Sequence, residues 1–244
     1  MTEKSQLHTL SKRLQTVASM VTPGRRLLDI GCDHAYLPIR LVKEGKAPGA
    51  VVTDISAGAI ERAVAHIKSA GLEYRITARL ADGLEGYQDG ECDTMIISGM
   101  GGPLIIDILE TGEYLLDGFK EIVLSPQSEI ALVRRWLASH RLRLTDEKMI
   151  CDQNKYYVIL KAVSGEESIY AADEDEKAVQ YAYGPYLIDR RDCVLADFLE
   201  KEIRRYEAAL EAAVRSEEPR AVSRRRELIA KKEAACRVMK SLTI

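Results

Sequence analysis

Residues Arg26 to Ile30 form a short apolar run that ends in Gly31-Cys32-Asp33-His34-Ala35 and passes straight into a helical pattern at Tyr36–Glu44. A buried strand, a tight glycine turn and a helix start commit a chain to an α/β architecture. The next strand can return beside the first only through a crossover. The same unit is a ligand cradle, because the amides of the turn and of the helix N-terminus gather at the carboxyl end of the strand. Its own residues narrow the ligand. A dinucleotide turn needs bare backbone at its second and third glycine positions, and Asp33 and Ala35 stand there. A carboxylate at that place would repel a pyrophosphate in a poorly screened site. The expected ligand therefore lacks phosphates and carries positive charge. S-adenosylmethionine meets both conditions; an ordinary strand-to-helix turn with a surface Asp is the alternative.

The rest of the chain extends the pattern. Leu7, Leu10, Leu14, Val17 and Ala18 recur at helical spacing and predict a helix over 5–20. Apolar runs at 26–30, 49–54, 74–80, 94–98 and 121–124 alternate with helical patterns at 36–44, 57–70, 104–110 and 129–139. Runs at 142–150 and 156–163 flank a loop at 151–155 and read as a hairpin that adds an antiparallel edge strand. Five alternating units predict a parallel sheet covered on both faces. With the hairpin this is the seven-stranded, Rossmann-like arrangement of class I methyltransferases, the strand order coming from analogy. An acidic stretch, 165–177, lacks periodicity and reads as a linker. Beyond it, two heptad-like runs separated by Glu218-Pro219 predict a helical, coiled-coil-like hairpin. The expected domains are 1–164, which would bind the cofactor, and 165–244.

Acids and glycines at the strand ends supply the candidate site. Asp29, two residues before Gly31, is placed to accept the ligand's ammonium. Asp54, 23 residues after Gly31, is placed to receive ribose hydroxyls, and Ile55 is assigned to the cofactor with it. Asp82 would accept the adenine amino group while Gly83 lets the ring approach; an ordinary Asp-Gly turn is the alternative. Ser98-Gly99-Met100-Gly101-Gly102 follows the fourth strand, where a reactive methyl would point, and three glycines in five residues suit close approach to a flat group. Asp33 is expected to hold the cofactor together with Ser98 and Gly99, and Asp33, His34, Tyr36 and Met100 are the candidates for chemistry on a planar acceptor, with Asp33, His34 or the Ser98–Met100 carbonyls as proton acceptor. The five cysteines form no paired motif, which argues against a disulfide framework or zinc site. No run reaches membrane-spanning length, so a cytoplasmic protein without membrane or metal partners is expected. Residues 190–244 carry 14 Lys and Arg against 10 Asp and Glu, a modest excess compatible with RNA.

These residues together resemble the bacterial tRNA (adenine-22-N1)-methyltransferase family. The likeness runs from Leu10-Ser11-Lys12-Arg13-Leu14-Gln15-Thr16-Val17-Ala18 through Asp29-Ile30-Gly31, Asp33-His34-Ala35-Tyr36-Leu37-Pro38 and Gly99-Met100-Gly101-Gly102 to Tyr157 and Gly184-Pro185. It implies methyl transfer from S-adenosylmethionine to N1 of adenosine 22 in the tRNA D-arm. Gly101, Gly102 and Tyr157 would then lie on the substrate side. Lys12, Arg13, Arg220, Arg224, Arg225, Arg226, Lys231 and Lys232 would be the candidates for phosphate contacts, and a monomer is expected. Three positions depart from the family pattern: Cys32 for Ser, Ser125-Pro126-Gln127 for Gln-Pro-Asn, and Val158 for Glu. The last two remove polar groups expected near the base. Three other readings compete: a methyltransferase with a small-molecule or protein acceptor, a nicotinamide oxidoreductase, and a non-catalytic RNA-binding protein with a retained cofactor fold.

Overall fold

A computed structural model describes residues 9–167, 169–213 and 219–243. Two compact units divide the chain, Met1–Ser168 and Ile169–Ile244. In the first, helices α1 (Lys12–Met20), α2 (Tyr36–Lys43), α3 (Ala57–Ser69), α4 (Gly102–Thr111) and α5 (Ile130–Ser139) surround seven strands. The strands are β1 (Leu27–Ile30), β2 (Ala50–Asp54), β3 (Ile76–Leu80), β4 (Thr94–Ser98), β5 (Glu121–Ser125), β6 (Leu142–Asp152) and β7 (Lys155–Ser164). Their order in the sheet is β3-β2-β1-β4-β5-β7-β6. β1 to β5 are parallel, and β7 runs antiparallel to both β5 and β6. The antiparallel strand is therefore internal, and β6 is the edge. Val158, Ile159 and Leu160 on β7 are buried, which an edge strand would not require.

Strand residues alternate between two covered faces. Leu27, Ala50, Val52, Ile96, Val123 and Ile159 join a core with Val17, Leu37, Leu41, Ala63 and Ile67 from α1, α2 and α3. The intervening Leu28, Val51, Met95, Ile97, Ile122 and Leu124 are equally buried, as period 2 demands of a sheet packed on both sides. Asp29 shares its parity with Leu27, so it faces the side covered by α1. At the far end of the sheet Glu121 is fully buried. Lys161 Nζ (2.7 Å), Thr22 and Thr94 reach its carboxylate, and so does Arg25 Nη1 (3.0 Å). Burial alone would raise its pKa, but these bonds to the charged form leave it lowered.

Several boundaries differ from the sequence expectation for local reasons. α1 begins at Lys12 because the Ser11 hydroxyl accepts the Leu14 amide and caps it; residues 9–11 are not helical, and 5–8 lie outside the described residues. The hairpin loop is only Gln153 and Asn154, both at positive φ (49° and 62°), the pairing that a two-residue turn between twisted strands requires. The expected 165–177 linker gives way at Glu174 to a helix. Asp173 caps it by accepting the Glu176 amide, and Glu174, Asp175 and Glu176 fill its first turn, where the helix dipole favours acids.

That helix, α6 (Glu174–Tyr183), opens the second unit and is followed by α7 (Pro185–Asp189), α8 (Cys193–Ala213) and α9 (Pro219–Thr243). α8 and α9 pack on one another, burying Leu195, Leu199, Tyr206, Ala235 and Val238. Lys232 on α9 reaches Glu207 on α8 at 2.8 Å.

Candidate active site

β1 and β4 are neighbours whose crossovers leave in opposite directions, toward β2 and toward β5. In such sheets ligands bind outside the carboxyl ends at this switch point. The chain after β1 turns on Gly31 (φ 73°), and the Gly31 and Cys32 amides both donate to Thr53 O. Asp33 (φ 45°) and Ala35 (φ 54°) also take left-handed backbone, which non-glycine residues rarely adopt. Asp54 at the end of β2 fastens it. One carboxylate oxygen accepts the Asp33 amide (3.1 Å) and the other the Ser56 amide (2.9 Å).

A cleft of about 270 Å³ opens there, lined by Arg13, Asp29, Gly31, Asp33, His34, Tyr36, Ser98, Gly99 and Gln127 among others. Asp29 is buried, and burial pushes its pKa up to about 7 against the attraction of Arg13, with Asp54 adding to the rise. Arg13 projects from α1 into the cleft, where its Nη1 donates to Ser98 Oγ at 2.6 Å. Its guanidinium lies 5.9 Å from the centre of the Tyr157 ring. Lys12 instead donates to the Cys151 carbonyl of the hairpin at 2.8 Å. Of the two basic residues expected on the tRNA side, one is thus turned inward and the other tethers α1.

Asp33 does not point its carboxylate into the cleft floor. Its side chain is 60% exposed and pairs with Arg62 Nη2 at 2.7 Å, with His34 Nε2 at 3.4 Å. His34 stacks on Tyr36 (centroids 5.0 Å apart), and Tyr36 stacks on His66 (4.8 Å). His66 Nδ1 lies 3.1 Å from the His34 carbonyl. Arg62 and His66 went unread in the sequence, although their i,i+4 spacing on the helix that follows Asp54 places them on one face.

Asp82 and Gly83 line a separate hollow of about 160 Å³ with Leu104, Asp107 and Ile108. Leu104 and Ile55 are 50% and 70% exposed. Met100 lies over the turn, its methyl 2.1 Å from where a β-carbon on Gly31 would stand. The three loop glycines serve different ends. Gly99 takes φ 93°, whereas Gly101 and Gly102 lie against Ser128, whose carbonyl is 2.6 Å from a β-carbon position on Gly102. Gln127 lines the cleft, so an amide remains at this departure from the family pattern. Val158 is buried opposite Met149, on the other face from Tyr157. On the second unit, Arg224 and Arg226 are exposed and Arg225 is half-buried. Lys231 pairs with Glu227 and Lys232 with Glu207; the Arg220 side chain lies outside the described residues.

Residues 10–160 match the family model described as a methyltransferase domain. The tRNA (adenine(22)-N(1))-methyltransferase of Bacillus subtilis is 38% identical over 192 residues, 79% of each chain. The chain belongs to the tRNA (adenine-22-N1)-methyltransferase family. The family's structures agree throughout its length. The B. subtilis m1A22 tRNA methyltransferase superposes with a TM-score of 0.84 at 32% identity, covering 95% of this chain and 99% of that one. Sp1610 of Streptococcus pneumoniae, solved with S-adenosyl-L-methionine, gives 0.83 at 32% identity, covering 95% and 100%. Family membership sets aside the oxidoreductase reading and the non-catalytic one.

Proposed function

We propose that this protein transfers a methyl group from S-adenosylmethionine to N1 of adenosine 22 in tRNA. The observation that carries the reading is the cleft at the carboxyl ends of β1 and β4. Two carboxylates, Asp29 and Asp54, stand around a turn that has no phosphate cradle. Such a site fits a cationic nucleoside and rejects a dinucleotide. Asp29 would face the ammonium and Asp54 with Ile55 the ribose. The hollow of Asp82, Gly83 and exposed Leu104 would take the adenine ring. Residues 1–164 would do this work and 165–244 would serve the tRNA.

When bound, the cofactor supplies an electrophilic methyl group on sulfur. N1 of neutral adenine already has a lone pair, so the protein's task is positioning, worth about 7–11 kcal/mol in favourable cases. N1 lies on the pairing edge, so the base must leave its stack. The His34–Tyr36–His66 stack borders the cleft and offers a ring face to the extruded base, a contact worth roughly 1–3 kcal/mol. Asp33 then serves to orient His34 rather than to bind the cofactor, since its oxygens already face His34 and Arg62. Gly99 leaves the backbone bare at the cleft, with Met100 over the turn and Tyr157 beside Arg13. Purified protein incubated with unfractionated tRNA and cofactor is expected to yield 1-methyladenosine on nucleoside mass spectrometry. Methylation at a different adenine atom, or at no base, would contradict the proposal.

Exposed Arg224 and Arg226, with Arg225 beside them, are the proposed phosphate contacts of the second unit. Neutralising Arg224 and Arg226 to Ala is expected to weaken tRNA binding by roughly 3–10-fold and to reduce the salt slope by about 1–2. Filter binding between 50 and 200 mM salt, on the order used for such slopes, checks this. An unchanged slope would remove the two residues from the interface.

A further inference from the structure

Asp29 and Asp54 belong to β1 and β2, on one side of β4. β5 lies on its other side, with Ser125 in register with Ser98. Two residues beyond Ser125, Gln127 lines the cleft with an exposed side chain. Its backbone is held at two points. The Gln127 amide donates to Met100 O at 2.8 Å, and the carbonyl of the next residue, Ser128, accepts the Gly102 amide at 3.1 Å. The side-chain Nε2 lies 3.8 Å from a β-carbon position on Gly99, yet the carboxamide forms no hydrogen bond with any described residue. A fixed backbone thus brings an unspent donor and an unspent acceptor to the side of the cleft opposite the two carboxylates.

We propose that Gln127 reads the target adenine on its Hoogsteen edge, Oε1 accepting from the exocyclic N6 and Nε2 donating to N7. This rests on the function proposed above and names the group that selects the base. N1 must stay open to the methyl group, so recognition cannot cover the pairing edge. N6 and N7 are the donor and acceptor that remain, and a carboxamide meets them with two hydrogen bonds. Guanine presents two acceptors there, O6 and N7, so either orientation of the amide sets Oε1 against an acceptor. A basic side chain at this position would select guanine instead. Methylation at N1 spreads positive charge onto N6. The bond to Oε1 therefore tightens as the methyl arrives, and binding that strengthens in the transition state speeds the chemical step.

The test is a cycle of two proteins, wild type and Gln127→Met, on two tRNA transcripts that carry adenosine or 7-deazaadenosine at position 22. The ring change alters N1 basicity alike for both proteins, so the ratio of their kcat/KM values on each transcript carries the result. Wild type is expected to exceed Gln127→Met by roughly 10–100-fold on adenosine and by only about threefold on the 7-deaza base. Gln127→Met should keep the wild-type Kd for S-adenosylhomocysteine within about twofold, which also reports an intact fold. Equal activity of the two proteins on adenosine, the same ratio on both transcripts, or a weakened S-adenosylhomocysteine complex would overturn the role of Gln127. A wild-type protein that methylates neither transcript at N1 would overturn the proposed reaction itself, and this assignment with it.

Discussion

Replacing Asp29 with Asn is expected to make the ligand-free protein more stable at pH 8 while weakening S-adenosylhomocysteine by about 100-fold or more, as loss of a buried charge pair does. The Asp29 side chain is buried near the end of β1 without a hydrogen bond, and burial lifts its pKa to about 7. In the unfolded chain an Asp titrates near 3.9. Between these values the folded state binds the proton and the unfolded state does not. Stability therefore falls as pH rises from about 4 toward 7 and levels off above the folded pKa. Ionising the buried group then costs on the order of 2–4 kcal/mol at pH 8. Asn has nearly the same shape and no such penalty. Its advantage over wild type in thermal or denaturant unfolding should grow by about 2 kcal/mol from pH 5 to pH 8. A variant less stable than wild type at pH 8, or one that keeps full ligand affinity, would show that the carboxylate is structural.

Gly102→Ala should destabilise the first unit by about 2–3 kcal/mol and lower turnover as well, because overpacking against backbone cannot be relieved by a rotamer change. An added β-carbon would stand 2.6 Å from the Ser128 carbonyl oxygen and 3.0 Å from that of Glu129. The Gly102 amide also donates to Ser128 O, and the Gln127 amide to Met100 O. The β4–α4 and β5–α5 turns are thus laced together, and parting them moves Met100 and Gln127 at the cleft. Gly31→Ala offers the comparison. There the β-carbon meets only the end of the Met100 side chain, which can swing away, leaving the strain of φ 73°, about 1–2 kcal/mol. Unfolding curves for both variants decide the matter; equal, negligible losses would mean that the turns yield freely.

Particular residues show what the sequence could reveal. The Gly31–Tyr36 turn, the acids at the ends of β1 and β2 and the five strand–helix alternations were legible because each rests on local chemistry: glycine at positive φ, apolar runs, helix starts. The order of β6 and β7 was not, since it depends on which strand finds β5. α6 escaped notice because it is held by its Asp173 cap and acidic first turn and buries only Tyr183, too little to print an apolar period. Arg13 read as a surface cation because a basic residue on an amphipathic helix usually is one; only the parity of Asp29 across the sheet reveals why it turns inward. The pairing of Asp33 with Arg62 was not legible, because Arg62 comes from a helix 29 residues away. The Ser125-Pro126-Gln127 departure kept an amide in the cleft, and Val158 fell on the opposite face from Tyr157.

The decisive measurement is methylation of a tRNA transcript by the purified protein with labelled S-adenosylmethionine, beside the same transcript carrying guanosine in place of adenosine 22. Label on the parent and none on the variant is the expected result, and it would fix reaction, substrate and target atom class together. Equal labelling of both, or bound cofactor with no label on either, would contradict the account and direct the cleft's chemistry to another acceptor.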